Sequence, residues 1–80
     1  MEELTLFAKL ANKARKLNLA GIAKDEAETE RYTNQIENIS NAMLTRGCEP
    51  IIEFTDGKIT MVAMRKGTFY VEKKILLEEA

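Results

Sequence analysis

Residues 50–72 read PIIEFTDGKITMVAMRKGTFYVE, a pattern of short apolar runs separated by turn-forming residues. The dipeptide Asp56-Gly57 is typical of a two-residue type I′ turn, because both central residues of that turn need a positive φ. The sequence therefore predicts a β-hairpin, with one strand over residues 51–55 and the next over residues 58–64.

The register of this hairpin assigns its side chains to the two faces of the sheet. Pairing across a two-residue turn sets Phe54 opposite Ile59. By the same count Ile52 lies opposite Met61, and all four apolar side chains share one face. Alternate positions along the strands extend that face. The predicted core-facing side chains are Ile52, Phe54, Ile59, Met61, Ala63, Phe69 and Val71.

A third strand is predicted after residues 65–67, because the glycine that ends this segment suits a three-residue loop with one left-handed residue. The strand runs over residues 68–74, which completes an antiparallel β-meander over about residues 51–75. Residues 75–77 are all apolar. We expect them to dock on the rest of the fold, since three consecutive large apolar side chains are unfavourable in water.

Two helices are predicted before the sheet, over residues 3–18 and 24–46. Their apolar residues recur at three- and four-residue spacing, which places them on one side of each helix. These stripes are Phe7, Leu10, Ala14 and Leu17 in the first helix and Tyr32, Ile36, Ile39 and Met43 in the second. Asn18 or Gly21 is expected to end the first helix in a left-handed conformation, and Gly47 to end the second.

The order of these elements predicts an α+β fold of the ααβββ type in two layers. The short link between the helices makes them an antiparallel hairpin over about residues 3–46, and this hairpin packs on one face of the three-stranded meander. A chain of 80 residues is expected to form a single domain, residues 1–80.

The composition argues against most classes of enzyme. The sequence has no histidine and one cysteine, Cys48, which excludes histidine-dependent catalytic triads, histidine metal sites and internal disulfides. We therefore expect no enzymatic activity, no metal and no cofactor. There is no long apolar run, and no basic start followed by an apolar stretch, which predicts a cytoplasmic protein with no membrane partner.

The net charge of −1 conceals an uneven distribution of charge along the chain. Residues 1–24 carry a net charge of +3, residues 25–49 carry −4, and residues 50–80 are neutral. A basic helix beside an acidic helix most simply indicates that the two helices attract each other.

A row of polar side chains lies on the side of the second helix opposite its apolar stripe. The row consists of Asn34, Asn38, Asn41 and Thr45. Asparagine is a poor helix former, and its amide makes directed, uncharged hydrogen bonds that suit contact with another protein. We interpret this row as the partner-binding surface, with an ordinary solvent-facing helix side as the alternative.

The sheet face that points away from the helices is predicted to carry apolar side chains as well. These are Ile51, Val62, Met64 and Tyr70, which lie among charged residues. An exposed apolar group of this kind indicates self-association, so we expect a homodimer through this face. Scattered surface hydrophobic residues are the alternative.

A basic face on the first helix suggests a different function. Lys9, Lys13 and Lys16 share one side of that helix, and Arg65 and Lys66 lie at the second turn of the meander. Together they could bind the phosphates of DNA or RNA, as in a nucleic-acid-associated regulator. No aromatic residue interleaves the lysines to stack on bases, which favours a solvated helix face instead.

The outer sheet face also carries two carboxylates, Glu53 and Glu72, that could serve acid–base chemistry. No other residues suggest a catalytic pocket, so an enzyme is the least favoured of three hypotheses. The leading hypothesis is a small, non-enzymatic protein-binding module that acts by stoichiometric contact. It would be an inhibitor or adaptor of the size that phages and mobile elements encode.

Overall fold

The computed structural model describes residues 2–76 and contains five elements in the predicted order. The helices and strands are α1 (Glu2–Ile22), α2 (Glu26–Thr45), β1 (Glu49–Thr55), β2 (Lys58–Lys66) and β3 (Phe69–Lys74). The strands form one antiparallel sheet in the order β1-β2-β3. The helical hairpin packs on this sheet, with α1 against β2 and α2 against β1. The predicted ααβββ fold is confirmed.

The end of α1 differs from the prediction. Asn18 and Gly21 both lie inside the helix, and the left-handed residue is Lys24, with a φ of 58°. The Asp25 N–H donates to the Ala20 carbonyl at 3.0 Å, which closes a Schellman motif around Lys24. Asn18 keeps a helical conformation, and its buried side chain is hydrogen-bonded to the sheet.

Asp25 caps the start of α2, and Gly47 ends the helix as predicted. The Asp25 carboxylate accepts a hydrogen bond from the Glu28 N–H at 3.1 Å and caps the first turn. At the other end Gly47 has a φ of 80°, as predicted, and the Cys48 N–H donates to the Met43 carbonyl at 2.9 Å. Cys48 and Met43 are both buried, so this second Schellman motif is closed by an apolar contact as well.

The first hairpin has the predicted turn but a different register beyond it. Asp56 and Gly57 have φ values of 54° and 79°, which confirms the type I′ turn, and Phe54 pairs with Ile59 as expected. The register then shifts, because Thr60 has no partner on β1 and forms a β-bulge. Ile52 consequently pairs with Val62 instead of Met61.

The bulge reverses the alternation of side chains along β2. Val62 and Met64 are fully buried in the core beneath the helices, although both were predicted to face outward. Met61 and Ala63, predicted to face the core, belong to the opposite face by alternation, although Ala63 is fully buried there. The prediction is confirmed for Ile59, which precedes the bulge, and was wrong for the faces after it, because an extra residue moves every later side chain to the other side of the sheet.

The second turn is also shorter than predicted. Only residues 67–68 connect β2 to β3, and Gly67 has a φ of 61° at the first central position, as in a type II′ turn. Met64 therefore pairs with Val71, and Val71 packs against the core from the predicted face. Phe54 and Phe69 belong to this face too but lie at its margins, where they are 62% and 42% exposed.

The core is a single cluster between the helices and the sheet. Its buried members are Phe7, Leu10, Ala11, Ala14, Ile36, Met43, Cys48, Ile59, Val62, Met64 and Ile75. Docking of residues 75–77 is confirmed for Ile75, which is buried and donates its backbone N–H to the Thr60 carbonyl at 2.9 Å. Leu76 is instead exposed, and residue 77 lies outside the described part of the chain.

One buried polar side chain connects the two layers. The Asn18 amide nitrogen donates to the Ile59 carbonyl at 2.8 Å, and the Ile59 N–H donates to the Asn18 side-chain oxygen at 2.9 Å. Ile59 forms a non-hydrogen-bonded pair with β1, so its N–H and C=O point toward the side of β2 where β3 lies. Because β3 ends at Lys74, opposite Met61, the asparagine supplies the partner that the sheet lacks there.

A matched pair of methionine substitutions tests the bulged register. Met64→Gln places an amide in the closed core and should lower the free energy of unfolding by about 3 kcal/mol. Met61→Gln, on the outer face, should lower it by less than about 1 kcal/mol. Chemical denaturation measures both changes. Equal losses, or the reverse order, would contradict this register.

Removing the Asn18 amide should have a larger effect than removing an exposed amide on the same helix. Asn18→Leu leaves the buried N–H and C=O of Ile59 without partners, which should cost about 3 kcal/mol of unfolding free energy. Asn12→Leu, at an exposed position of α1, should change it by no more than about 0.5 kcal/mol. Comparable values for the two variants in denaturant titrations would show that the bonds to Ile59 contribute little.

Candidate protein-interaction surfaces

The predicted polar row of α2 forms a continuous exposed strip, which we call the amide row. Its members, Asn34, Asn38, Asn41 and Thr45, are all exposed. They lie opposite Ile36 and Met43, the residues that α2 buries in the core. The Thr45 hydroxyl donates to the Asn41 carbonyl within the helix at 2.9 Å. Within residues 2–76, none of the three asparagine amides is hydrogen-bonded to another residue.

The amide row has an apolar neighbour that the sequence interpretation missed. Leu44 lies one turn beyond Asn41 on α2 and is 57% exposed. Around the helix it lies between the amide row and the buried side of α2, so the periodicity of apolar residues alone does not assign it to either. The row thus combines unused hydrogen-bonding groups with one large exposed apolar side chain, a combination that suits a protein interface.

The predicted dimer surface does not exist as a unit. Val62 and Met64 are in the core, so they cannot contact a second copy across the outer sheet face. Of the four predicted residues only Ile51 and Tyr70 lie on that face, where Ile51 is half-buried and Tyr70 is exposed. The bulge at Thr60 is the physical reason, because it turned the apolar residues of β2 inward.

The outer sheet face carries polar contacts, one between two strands and one within β3. Arg65 on β2 pairs with Glu49 on β1 at 2.6 Å. On β3 the Tyr70 hydroxyl donates to Glu72 at 2.7 Å. That hydrogen bond, together with burial and the charge of the Glu72 carboxylate, raises the pKa of Tyr70 above its usual value.

The two predicted carboxylates, Glu53 and Glu72, both belong to this face but sit on the two edge strands. Glu53 pairs with Met61 and Glu72 with Ala63, so the central strand separates them. In the part of the chain that the structure describes, no group of three or more Asp, Glu or Cys side chains could hold a metal ion.

The structure does not bring the five predicted phosphate-binding residues together. The lysines Lys9, Lys13 and Lys16 lie on α1, whereas Arg65 belongs to the sheet face opposite the helices. Lys66 is engaged with Glu3 at 3.3 Å. The pKa of Glu3 is lowered by a hydrogen bond from its own backbone and by the one from Lys66.

The lysines of α1 also differ from one another in their surroundings. The Lys13 ammonium lies 5.6 Å from the ring centre of Tyr32 on α2, a cation–π contact that ties it to the helical hairpin. Lys9 is exposed and Lys16 is half-buried. This contact is with an aromatic ring, and the ion pair that joins α1 to the end of α2 is between Glu2 and Arg46. The expected attraction between a basic first helix and an acidic second helix therefore stays a prediction.

A groove runs between α1 and the segment that follows β3, and sequence interpretation missed it. It has a volume of about 700 Å³. Its lining residues are Phe7, Ala8, Ala11, Asn12 and Arg15 from α1 and Lys73, Lys74, Ile75 and Leu76 from the end of the sheet. The only sequence signal was the juxtaposition of two lysines and an apolar tail at residues 73–76. We refer to this feature as the α1 groove.

Comparison with protein-family models, curated proteins and solved structures finds no match to this chain. Among residues 2–76, neither helix combines the length and apolar character needed to cross a membrane. The surfaces described above are therefore the basis for inferring a function.

The contact between Tyr70 and Glu72 can be tested by phenol titration. Glu72→Gln removes the negative charge and weakens the acceptor, so the pKa of Tyr70 should fall toward its ordinary value. Ultraviolet absorbance of the phenolate follows the titration, and Tyr70→Phe identifies the contribution of Tyr32. Because the folded-state pKa is raised, the stabilising effect of this bond is present below the ordinary pKa and is lost as pH rises through the folded-state value. An unchanged pKa in Glu72→Gln would contradict the assigned contact.

Proposed function

We propose that this protein is a non-enzymatic binding module that acts by stoichiometric contact with another protein through the amide row of α2. The observation that carries this proposal is that Asn34, Asn38 and Asn41 are exposed and that their side-chain amides make no hydrogen bond within residues 2–76. Each amide offers two donors and an acceptor to a partner.

The energetic cost of the row supports a role outside the fold. Asparagine is less favourable than alanine in a helix interior by up to about 0.7 kcal/mol per residue. Three such residues in line reduce the stability of α2 by about 1.5–2 kcal/mol, and no side-chain hydrogen bond of these amides within residues 2–76 offsets this cost. Hydrogen bonds to a partner would explain why amides occupy these positions.

The dimensions of the row suit a protein partner. Positions 34 and 45 are separated by about 16 Å along the helix axis, since each residue advances about 1.5 Å. Leu44 adds an exposed apolar side chain near the end of the row, where it can enter a pocket on the partner. An uncharged row also predicts that binding depends little on salt.

The nucleic-acid alternative has less support. Of its five cations, Arg65 and Lys66 pair with glutamates and Lys13 lies against an aromatic ring. These contacts use charges that phosphate binding would need. An inhibitor or adaptor, which needs a contact surface and no catalytic group, is the form of binding module that we favour.

A triple substitution separates binding from stability. Asn34→Ala, Asn38→Ala and Asn41→Ala together should raise the free energy of unfolding by about 1.5–2 kcal/mol through helix propensity. The same variant should lose at least about tenfold in affinity for its partner, because the directed hydrogen bonds are gone. Denaturant titration measures the first effect, and calorimetry with the purified partner measures the second.

The partner is first identified by affinity purification from the native host, followed by mass spectrometry. Thr33→Ala is the matched control, because it changes an exposed α2 residue outside the row and also improves helix propensity. Capture of the same proteins, with the same affinity, by the triple variant and by the wild type would refute the proposal.

A further inference from the structure

We propose that the α1 groove binds a short acidic segment of a protein partner, whose apolar side chains enter the groove. This inference rests on the proposed function, protein binding, and adds a second contact surface and the chemistry of what it takes. The α1 groove receives no residue from α2, so the two surfaces can be tested separately.

The floor of the α1 groove is apolar and partly open to water. Phe7, Ala11 and Ile75 are buried at its base, each with 6–7% of its surface exposed. Two further lining residues, Ala8 and Leu76, are exposed, and Leu76 has 72% of its surface exposed. An apolar partner side chain placed in the groove would remove apolar area of these residues from water, which is favourable.

The rim of the α1 groove is basic. Arg15, Lys73 and Lys74 line it, and within the described residues no acidic side chain does. None of these three cations forms an ion pair within residues 2–76. Three other cations, Arg46, Arg65 and Lys66, each pair with a glutamate. Among the described residues the charges of Arg15, Lys73 and Lys74 thus have no acidic partner, and a negatively charged segment placed in the groove would complement them.

The Arg15 side chain is held in place on the rim. Its guanidinium donates to the Asn12 side-chain oxygen at 3.1 Å, a bond between successive turns of α1. A guanidinium has five N–H donors, so most of them stay available to a carboxylate. A partly ordered arginine loses less conformational entropy on binding than a free one.

The size of the α1 groove fits a peptide segment. Its wall on α1 extends from Phe7 to Arg15, about 12 Å at the helical rise per residue. Two turns of a partner helix have about this length. Insertion of the apolar face of a helix into a hydrophobic groove is a common mode of peptide recognition. The apolar floor distinguishes this site from one for nucleic acid, which would need stacking surfaces and phosphate contacts.

The test uses the full chain and two synthetic peptides of about ten residues. In the acidic peptide two leucines alternate with two glutamates, so that the leucines recur on one helix face. The basic peptide has lysine in place of each glutamate. Fluorescence anisotropy of the labelled peptides measures affinity at low and high salt. The acidic peptide should bind at least about tenfold more tightly than the basic one, and added salt should reduce the difference.

Charge reversal then locates the site. The double variant Arg15→Glu, Lys73→Glu should weaken binding of the acidic peptide by at least about tenfold and reverse the preference between the two peptides. Lys9→Glu, an exposed charge reversal on α1 that does not line the groove, should leave the affinity within about twofold. Circular dichroism and thermal unfolding verify that each variant is folded.

Three outcomes would overturn the inference. The first is equal binding of the two peptides, and the second is an equal loss of affinity for the acidic peptide in Lys9→Glu and in the double variant. The third is self-association of the free protein that the double variant abolishes, which would assign the groove to a second copy. The amide-row variant distinguishes failure here from failure of the proposed function. If that variant loses its partner while the acidic peptide never binds, the module binds protein but not through this groove.

Discussion

The two hydrogen bonds between the Asn18 amide and the backbone of Ile59 fix the helical layer to the sheet. Without them the N–H and C=O of buried Ile59 would lack partners on the side of β2 where β3 has already ended. The next residue, Thr60, is the bulge that turns Val62 and Met64 inward. The placement of the Asn18 amide thus agrees with the position of α1, with the start of the bulge and with the side chains that fill the core.

Sequence reasoning succeeded where the determining signal is local. Periodic apolar residues predicted both helices, and the stop at Gly47 and the Asp56-Gly57 turn were each confirmed by backbone geometry. The exposure of the amide row followed from the same helical periodicity. Asn18 was available to this kind of reasoning as well, because it lies seven residues after Ala11 on the buried side of α1, where an amide needs a partner.

Features set by contacts between distant residues were not predictable in this way. Nothing in the spacing of β2 marks Thr60 as a bulge, so the inward and outward faces of that strand were exchanged and the apolar outer patch was an error. The misjudged length of the second turn then cancelled the shift, which is why Val71 was still assigned to the correct face. The α1 groove depends on where Ile75 docks, and Ile75 docks on the backbone of the bulge itself.

The two Schellman motifs end their helices with the same hydrogen-bond pattern but different residues. Gly47 adopts its positive φ without steric cost, whereas Lys24 holds a side chain in a conformation that is unfavourable for any residue with a Cβ. Lys24, in the link between the helices, is exposed and belongs to neither the amide row nor the α1 groove. A substitution at this one residue can therefore change the stability of the chain without altering either surface. Glycine at position 24 would give a more stable scaffold with both surfaces unaltered, on which weak or destabilising interface variants could be measured in a fully folded protein.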